Sequence, residues 1–277
     1  MECGADPTPD PIIAGALAVA ACRSSYDGAL AEETRAIPIE MPVAIELNGV
    51  AYAVMMASPG DLEDFVTGFL LAEGLAEAGE IGEIVLHPAD GGAGLVARTN
   101  LPAHRIAPVM ERARRRLGDS SCGICGLESI DMALRPLTSL EPATLPEPQA
   151  VAHALRAVRD AQVLGRATGA THAAGFCLPD GALLVLREDV GRHNALDKVI
   201  GALARNGQSA AEGFLVVTSR ASYELVEKAV RARCPLLVAI SAPTSLAVER
   251  ARAAGLALAV IARDDSMLWV SGPALDT

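Results

Sequence analysis

Apolar residues in this chain come in short blocks whose spacing changes from strand-like to helical and back. Two such runs, 42–47 and 50–57, flank Asn48-Gly49. That dipeptide favours a type I′ turn, in which both central residues need positive φ, so the runs read as a β-hairpin. Ser58-Pro59-Gly60-Asp61 then announces a helix. Ser58 can cap it, Pro59 suits its first position, and Asp61 faces the positive end of the helix dipole. Leu62, Phe65, Val66, Phe69 and Leu70 recur at helical spacing, and Gly74 can end the helix. Strands are expected at 83–87 and 94–98, a basic helix at 106–117 and a short helical stretch at 127–134. Four prolines between Pro136 and Pro148 disfavour regular hydrogen bonding and read as a linker.

The second half alternates between the two periods. A helix is expected over 149–164, then strands 171–178 and 182–188 joined by Pro179-Asp180-Gly181. Helix 192–204, strand 214–218, helix 223–233, strand 236–240, helix 246–254 and strand 256–261 follow, with a last apolar stretch at 267–270. One hairpin followed by repeated αβ units predicts an α/β fold, a mixed sheet with helices on its faces. The expected organisation is a variable arm (1–30), a smaller α+β N-terminal domain (31–135), a linker (136–148) and a C-terminal α/β domain (149–277). Ligands of such sheets sit where strands lead into helices at their carboxyl ends.

Composition narrows the function. Hydrophobic residues make up 51% of the 277, enough for a sizeable core, and no apolar run is long enough to span a bilayer. A formal net charge of −11 argues against sequence-independent nucleic-acid binding, which needs phosphate neutralisation. The short apolar run 12–22 follows Glu2, Asp6 and Asp10 with no basic residue, unlike a signal peptide. A cytoplasmic protein with reduced thiols is expected.

Of the six cysteines, Cys122 and Cys125 form the one CxxC pair; Cys177 and Cys234 read as small buried hydrophobes. Small residues surround the pair in Ser120-Ser121-Cys122-Gly123-Ile124-Cys125-Gly126, and Arg112, Arg114, Arg115 and Arg116 lie upstream. Nearby positive charge raises the thiolate fraction, the nucleophilic form. Zinc would need a second ligand pair, and the chain has no other CxxC and no HxxxH. A thioredoxin-like site would open a helix after a first strand, unlike this setting. A sulfur relay through a cysteine persulfide and a pair of idle thiols are the other readings.

Two strand-to-helix turns carry the remaining chemistry. In Arg187-Glu188-Asp189-Val190-Gly191-Arg192-His193-Asn194-Ala195-Leu196-Asp197-Lys198, the two arginines and the helix N-terminus can hold phosphate, and His193 can relay a proton. A salt-bridged turn is the plain alternative. In Thr218-Ser219-Arg220-Ala221-Ser222-Tyr223-Glu224, Ser219 and Arg220 can cradle an anion, while Ser222 can simply cap the helix. Ser241-Ala242-Pro243-Thr244-Ser245 is a weaker version of the same turn, and His172 can face the same crevice.

These stretches, with Met55-Met56-Ala57-Ser58-Pro59, Gly68-Phe69-Leu70, Glu73-Gly74 and Thr171-His172-Ala173-Ala174, occur in one order over most of the chain. In that order the chain resembles the formate dehydrogenase accessory sulfurtransferases, the FdhD family. The resemblance implies a cytidine-deaminase-like C-terminal domain, without cysteine at the turns where deaminases hold zinc, and therefore without zinc. It implies transfer of sulfur from a cysteine desulfurase to the molybdenum cofactor, in its bis(molybdopterin guanine dinucleotide) form, before insertion into formate dehydrogenase. Cys122 would bear the persulfide and Cys125 would assist. Arg192, His193, Ser219, Arg220 and Arg263 would bind the cofactor, which is substrate rather than resident group. A homodimer is implied as well. One departure stands out: after the last sheet strand the family carries a basic, glycine-containing segment, and here Ile261-Ala262-Arg263-Asp264-Asp265-Ser266 keeps only Arg263 as a cation. The paired aspartates would repel phosphate. A non-catalytic cofactor-binding chaperone and a thiol-disulfide oxidoreductase are the alternative functions.

Overall fold

The computed structural model describes residues 13–115 and 137–272. Three sheets organise them. Strands β1 (Ala16–Ser24) and β2 (Leu30–Pro38) form a two-stranded antiparallel ribbon. The stretch from 16 to 30, within the expected variable arm, is strand and turn. Its sequence hides this: four of the nine residues of β1 are alanine, which is depleted in strands. The ribbon is held by cross-strand pairing, by Arg23 against Glu33 at 2.6 Å, and by contact with a distant helix.

The first domain is built on β3 (Met41–Leu47), β4 (Val50–Ala57), β5 (Val85–Pro88) and β6 (Leu95–Thr99), in the order β4-β3-β6-β5. Asn48 (φ 52°) and Gly49 (φ 80°) are both left-handed, as the type I′ turn requires. Helix α1 (Leu62–Ala72) lays Leu62, Phe65, Val66, Phe69 and Leu70 on this sheet, against Val43, Ile45 and Leu47. Ser58 does not cap it. The N-cap position is Asp61, in a left-handed conformation and without a side-chain cap bond. Helix α2 (Ala103–Arg115) starts three residues before the expected boundary and carries Pro108 inside it.

Segment 137–147 has no helix or strand, in keeping with its prolines. The expected helix over 149–164 is two helices, α3 (Pro148–Ala161) and α4 (Val163–Thr168), broken at Gln162. Glu188, from a strand, causes the break: its carboxylate accepts the backbone N–H groups of Leu164 (2.9 Å) and Gly165 (2.7 Å), starting a new helix there. Helix α4 is also what β2 leans on.

Then follow β7 (His172–Cys177), β8 (Leu183–Asp189), α5 (Arg192–Arg205), β9 (Phe214–Val217), α6 (Tyr223–Arg231), β10 (Leu236–Ala239), α7 (Ser245–Ala254), β11 (Ala257–Val260) and β12 (Leu268–Ser271). The sheet order is β12-β11-β10-β9-β7-β8; β9, β10 and β11 are parallel, while β7, β8 and β12 run antiparallel to their neighbours. Every residue of the three parallel strands is buried, as strands covered on both faces must be. Leu215 and Val217 face α5, α6 and α7, while Phe214 and Val216 face α3. Cys177 and Cys234 are buried in these cores, and burial pushes both thiols up to about 12. No helix among the described residues is long and apolar enough to cross a membrane.

Candidate functional site

Parallel strands bring their carboxyl ends, and the turns that follow, to one edge of the sheet. Ala221 after β9 pairs with Pro243 after β10, and Ile261 after β11 donates its N–H to Ser241 at 3.2 Å. On the other side β7 runs antiparallel, so its start lies beside the end of β9. Thr218 Oγ1 accepts the N–H of Ala173 at 2.9 Å, and His172 pairs in register with Asp189, the last residue of β8. The two turns singled out in the sequence, 189–193 and 219–223, therefore flank one crevice.

Much of the charge in the first turn is structural. Arg187 does not serve the crevice: it meets Asp64 of α1, the helix packed on α5, at 2.7 Å. Glu188 is spent on α4. Asp189 and Lys198 form an ion pair at 2.7 Å with both side chains 0% exposed. Asp189 Oδ1 accepts the Gly191 N–H (2.8 Å) and Asn194 Nδ2 (3.0 Å), and its Oδ2 accepts the Ser58 N–H (3.0 Å). Three of these partners, Ser58, Asn194 and Lys198, escape a sequence reading. Ser58 looked like a helix cap, and an asparagine and a lysine inside a helix carry no signal of burial.

Arg192 remains. It opens α5, its Nε is buried and no hydrogen-bond partner among the described residues meets it. Thr171 Oγ1, one residue before β7, is buried and unpartnered in the same way. Arg220 is exposed at the opposite turn, and the Ser219 hydroxyl donates to the Arg220 carbonyl at 3.0 Å. Ser222 occupies the N-cap position of α6 without capping it; its Oγ lies 3.4 Å from His193 Nε2. Glu224 Oε2 is 3.8 Å from the same nitrogen. Both partners meet one ring nitrogen, so this is not a serine–histidine–carboxylate relay, which needs the two nitrogens engaged separately.

Burial, then the charges of Arg192 and Lys228, push the His193 pKa down to about 4 despite Glu224. Burial and Arg192 lower His172 too. Near neutral pH both rings are hydrogen-bonding groups without charge, and the positive potential of the crevice comes from the arginines and the first turn of α5.

Arg263 already has backbone partners. Its Nη1 donates to the carbonyls of Ile240 and, at 2.9 Å, Ala262, so that nitrogen is engaged at the ends of β10 and β11. The neighbouring Asp264 is paired with Arg159 of α3, which holds its carboxyl below the ordinary value of 3.8. Part of the acidic charge expected to repel phosphate is thus answered from the far face of the sheet. Cys122 and Cys125 lie outside the described residues.

The model of the FdhD/NarQ family matches residues 38–274. The chain belongs to the FdhD/NarQ family. Its relatives include proteins named sulfur carrier protein FdhD. The one from Xanthomonas axonopodis pv. citri (strain 306) is 49% identical over 238 residues, covering 86% of this chain and 84% of that protein. The one from Variovorax paradoxus (strain S110) is 44% identical over 237 residues, covering 86% and 85%. A crystal structure described as a formate dehydrogenase accessory protein from Desulfotalea psychrophila matches with a TM-score of 0.75 at 25% identity, covering 94% of this chain and 98% of that one. The FdhD/NarQ match takes in the four-stranded and six-stranded sheets and every crevice residue named above. It begins at the last residue of β2, so the β1–β2 ribbon falls almost wholly outside it.

Proposed function

We propose that this protein is a sulfur carrier that passes sulfur from a cysteine desulfurase to the molybdenum cofactor before that cofactor enters formate dehydrogenase. The names of its relatives support the sulfur-carrier part. The observation that carries the reading to this chain is the Arg192 Nε donor, buried at the first turn of a helix without a hydrogen-bond partner among the described residues. A pyrophosphate-bearing cargo supplies what it lacks.

The cargo fits as an anion. The N–H groups of Arg192 and His193 lie in the first turn of α5, where a helix offers no internal acceptor. With the Arg192 guanidinium, Arg220 and Ser219 they hold the phosphates of a guanine dinucleotide. Neutral His193 and His172 contribute hydrogen bonds. Arg263 stays with its carbonyls. The six-stranded domain serves as a cytidine-deaminase-like scaffold whose crevice has been turned from zinc chemistry to cargo holding.

Sulfur moves through the cysteine pair. The Cys122 thiolate attacks the outer sulfur of the desulfurase persulfide, takes it as Cys122 persulfide and releases the desulfurase thiolate. Cys125 then attacks the inner sulfur, and the Cys122–Cys125 disulfide forms as the terminal sulfur leaves as hydrosulfide for the metal. A thiol reductant restores the pair. The protein works in the cytoplasm, as a homodimer.

Intact-mass measurement after incubation with a cysteine desulfurase and cysteine tests this. The expected result is a gain of one sulfur atom that vanishes in Cys122→Ala; no gain in the wild type overturns it. A non-catalytic chaperone would instead still mature formate dehydrogenase after replacement of both cysteines by alanine.

A further inference from the structure

We infer that Ser58, at the end of β4 in the first domain, is a positioning residue for the crevice in the second; the inference rests on reading that crevice as an anion site. Ser58 is 2% exposed, and all of its polar groups are spent on one turn. Its N–H donates to Asp189 Oδ2 at 3.0 Å, its hydroxyl accepts the Val190 N–H at 3.1 Å, and its carbonyl accepts from Lys198 Nζ at 3.2 Å. Two residues earlier on the same strand end, the Met56 carbonyl accepts Asn194 Nδ2 at 2.8 Å.

These bonds hold every residue from 189 to 194 except Arg192 and His193, the two that face the cargo. Asp189, Val190, Gly191 and Asn194 are each tied down, three of them by Ser58 or Met56 directly and Gly191 through Asp189. Because Asp189 takes up the Gly191 N–H, the first unspent N–H groups of α5 are those of Arg192 and His193. The Asp189 carboxylate itself is fully occupied by donors and by Lys198, so it presents no negative charge to an incoming phosphate. Anion sites of this kind depend on donors held to within about 0.5 Å by residues that do not touch the ligand. Helix α5 alone does not supply that precision, since the Val190 N–H and Asp189 Oδ2 ahead of it are held by Ser58. The first domain supplies it, through a residue 131 positions away in sequence.

Calorimetric titration of the full chain with GDP tests the inference, using the wild type, Ser58→Ala, Ser58→Thr and a control, Val151→Ala. Val151 lies in α3 on the opposite face of the sheet and is buried, so its truncation loosens the domain without touching the turn. Ser58→Ala should bind GDP about tenfold more weakly, the scale of one lost hydrogen bond. Ser58→Thr, which keeps the hydroxyl, should recover most of the affinity. Val151→Ala should keep wild-type affinity at equal or lower stability. Should Ser58→Ala not fold, Asn194→Ala, which frees the same turn from Met56, must show the loss in its place. Unchanged affinity in Ser58→Ala, or a loss shared by Val151→Ala, overturns the positioning role and leaves the crevice reading intact. A wild type that does not bind GDP overturns the crevice reading and this inference with it.

Discussion

Gly68 of α1 and Gly201 of α5 meet where the two helices cross, so closely that a methyl on either would lie 1.8 Å from a carbonyl oxygen of the other helix. The crossing is the main seam between the two domains, and it sets the height of α5, hence of Arg192, above the sheet. A backbone carbonyl cannot swing aside as a side chain can. Gly68→Ala and Gly201→Ala should each destabilise the protein by about 3 kcal/mol or more, at the upper end for overpacking. Urea denaturation checks this; a change below about 1 kcal/mol would mean that the helices separate freely.

The Asp189–Lys198 pair should behave as a buried pair does when one partner is lost. Lys198→Met leaves the Asp189 carboxylate with its hydrogen bonds but no counter-charge, at a cost of about 3 kcal/mol. The double variant Asp189→Asn, Lys198→Met should regain part of that loss, because a neutral amide needs no cation. Unfolding free energies of the three proteins measure the coupling.

His193 should make stability depend on acid. Its folded pKa of about 4 lies below its ordinary 6.5, with Arg192, Lys228, His172 and Glu224 as the charged and titratable groups that shift it. The unfolded chain therefore takes up the proton first. The stability due to neutral His193 is complete above about 6.5 and is lost as the pH falls toward 4. Asp197 slopes the other way: burial raises it from 3.8 to about 6 against the pull of Lys228, so its contribution is complete below 3.8 and lost as pH rises through 6. The difference between wild type and His193→Gln separates the two. Relative to the variant, the wild type should lose on the order of 3 kcal/mol between pH 7 and pH 4. Parallel profiles would contradict the lowered pKa.

The arginines should divide by what they already hold. Arg192→Gln and Arg220→Ala should each weaken GDP binding about tenfold at low salt, and less as salt rises. Arg263→Ala should leave affinity within about twofold, because its Nη1 is already engaged by two backbone carbonyls. Titration calorimetry at two salt concentrations distinguishes them. An Arg263→Ala loss equal to that of Arg220→Ala would place the anion at the far edge of the crevice.

Sequence alone determined the parts of this protein that depend on neighbours in the chain. Asn48-Gly49 specified its turn because few residue pairs accept positive φ twice. The alternation of apolar periods gave the order of strands and helices from β7 to β12, and that order placed both candidate turns at one sheet edge. The β1–β2 ribbon escaped because its alanine-rich strand is held by pairing and by α4 rather than by its own pattern. The break at Gln162 escaped because its cause, Glu188, lies 24 residues away from Leu164. Only the tertiary structure decided which charges are free. Arg187, Arg192 and Arg263 look alike in sequence, yet Asp64 takes the first, two carbonyls take the third, and the second keeps a buried donor unpaired. Ser58 shows the same limit: its sequence context suits a helix cap, but its bonding is to Asp189 and Val190. Hydrogen bonds and ion pairs act over a few ångströms of space whatever the distance along the chain, so the chemistry of this crevice was settled by packing.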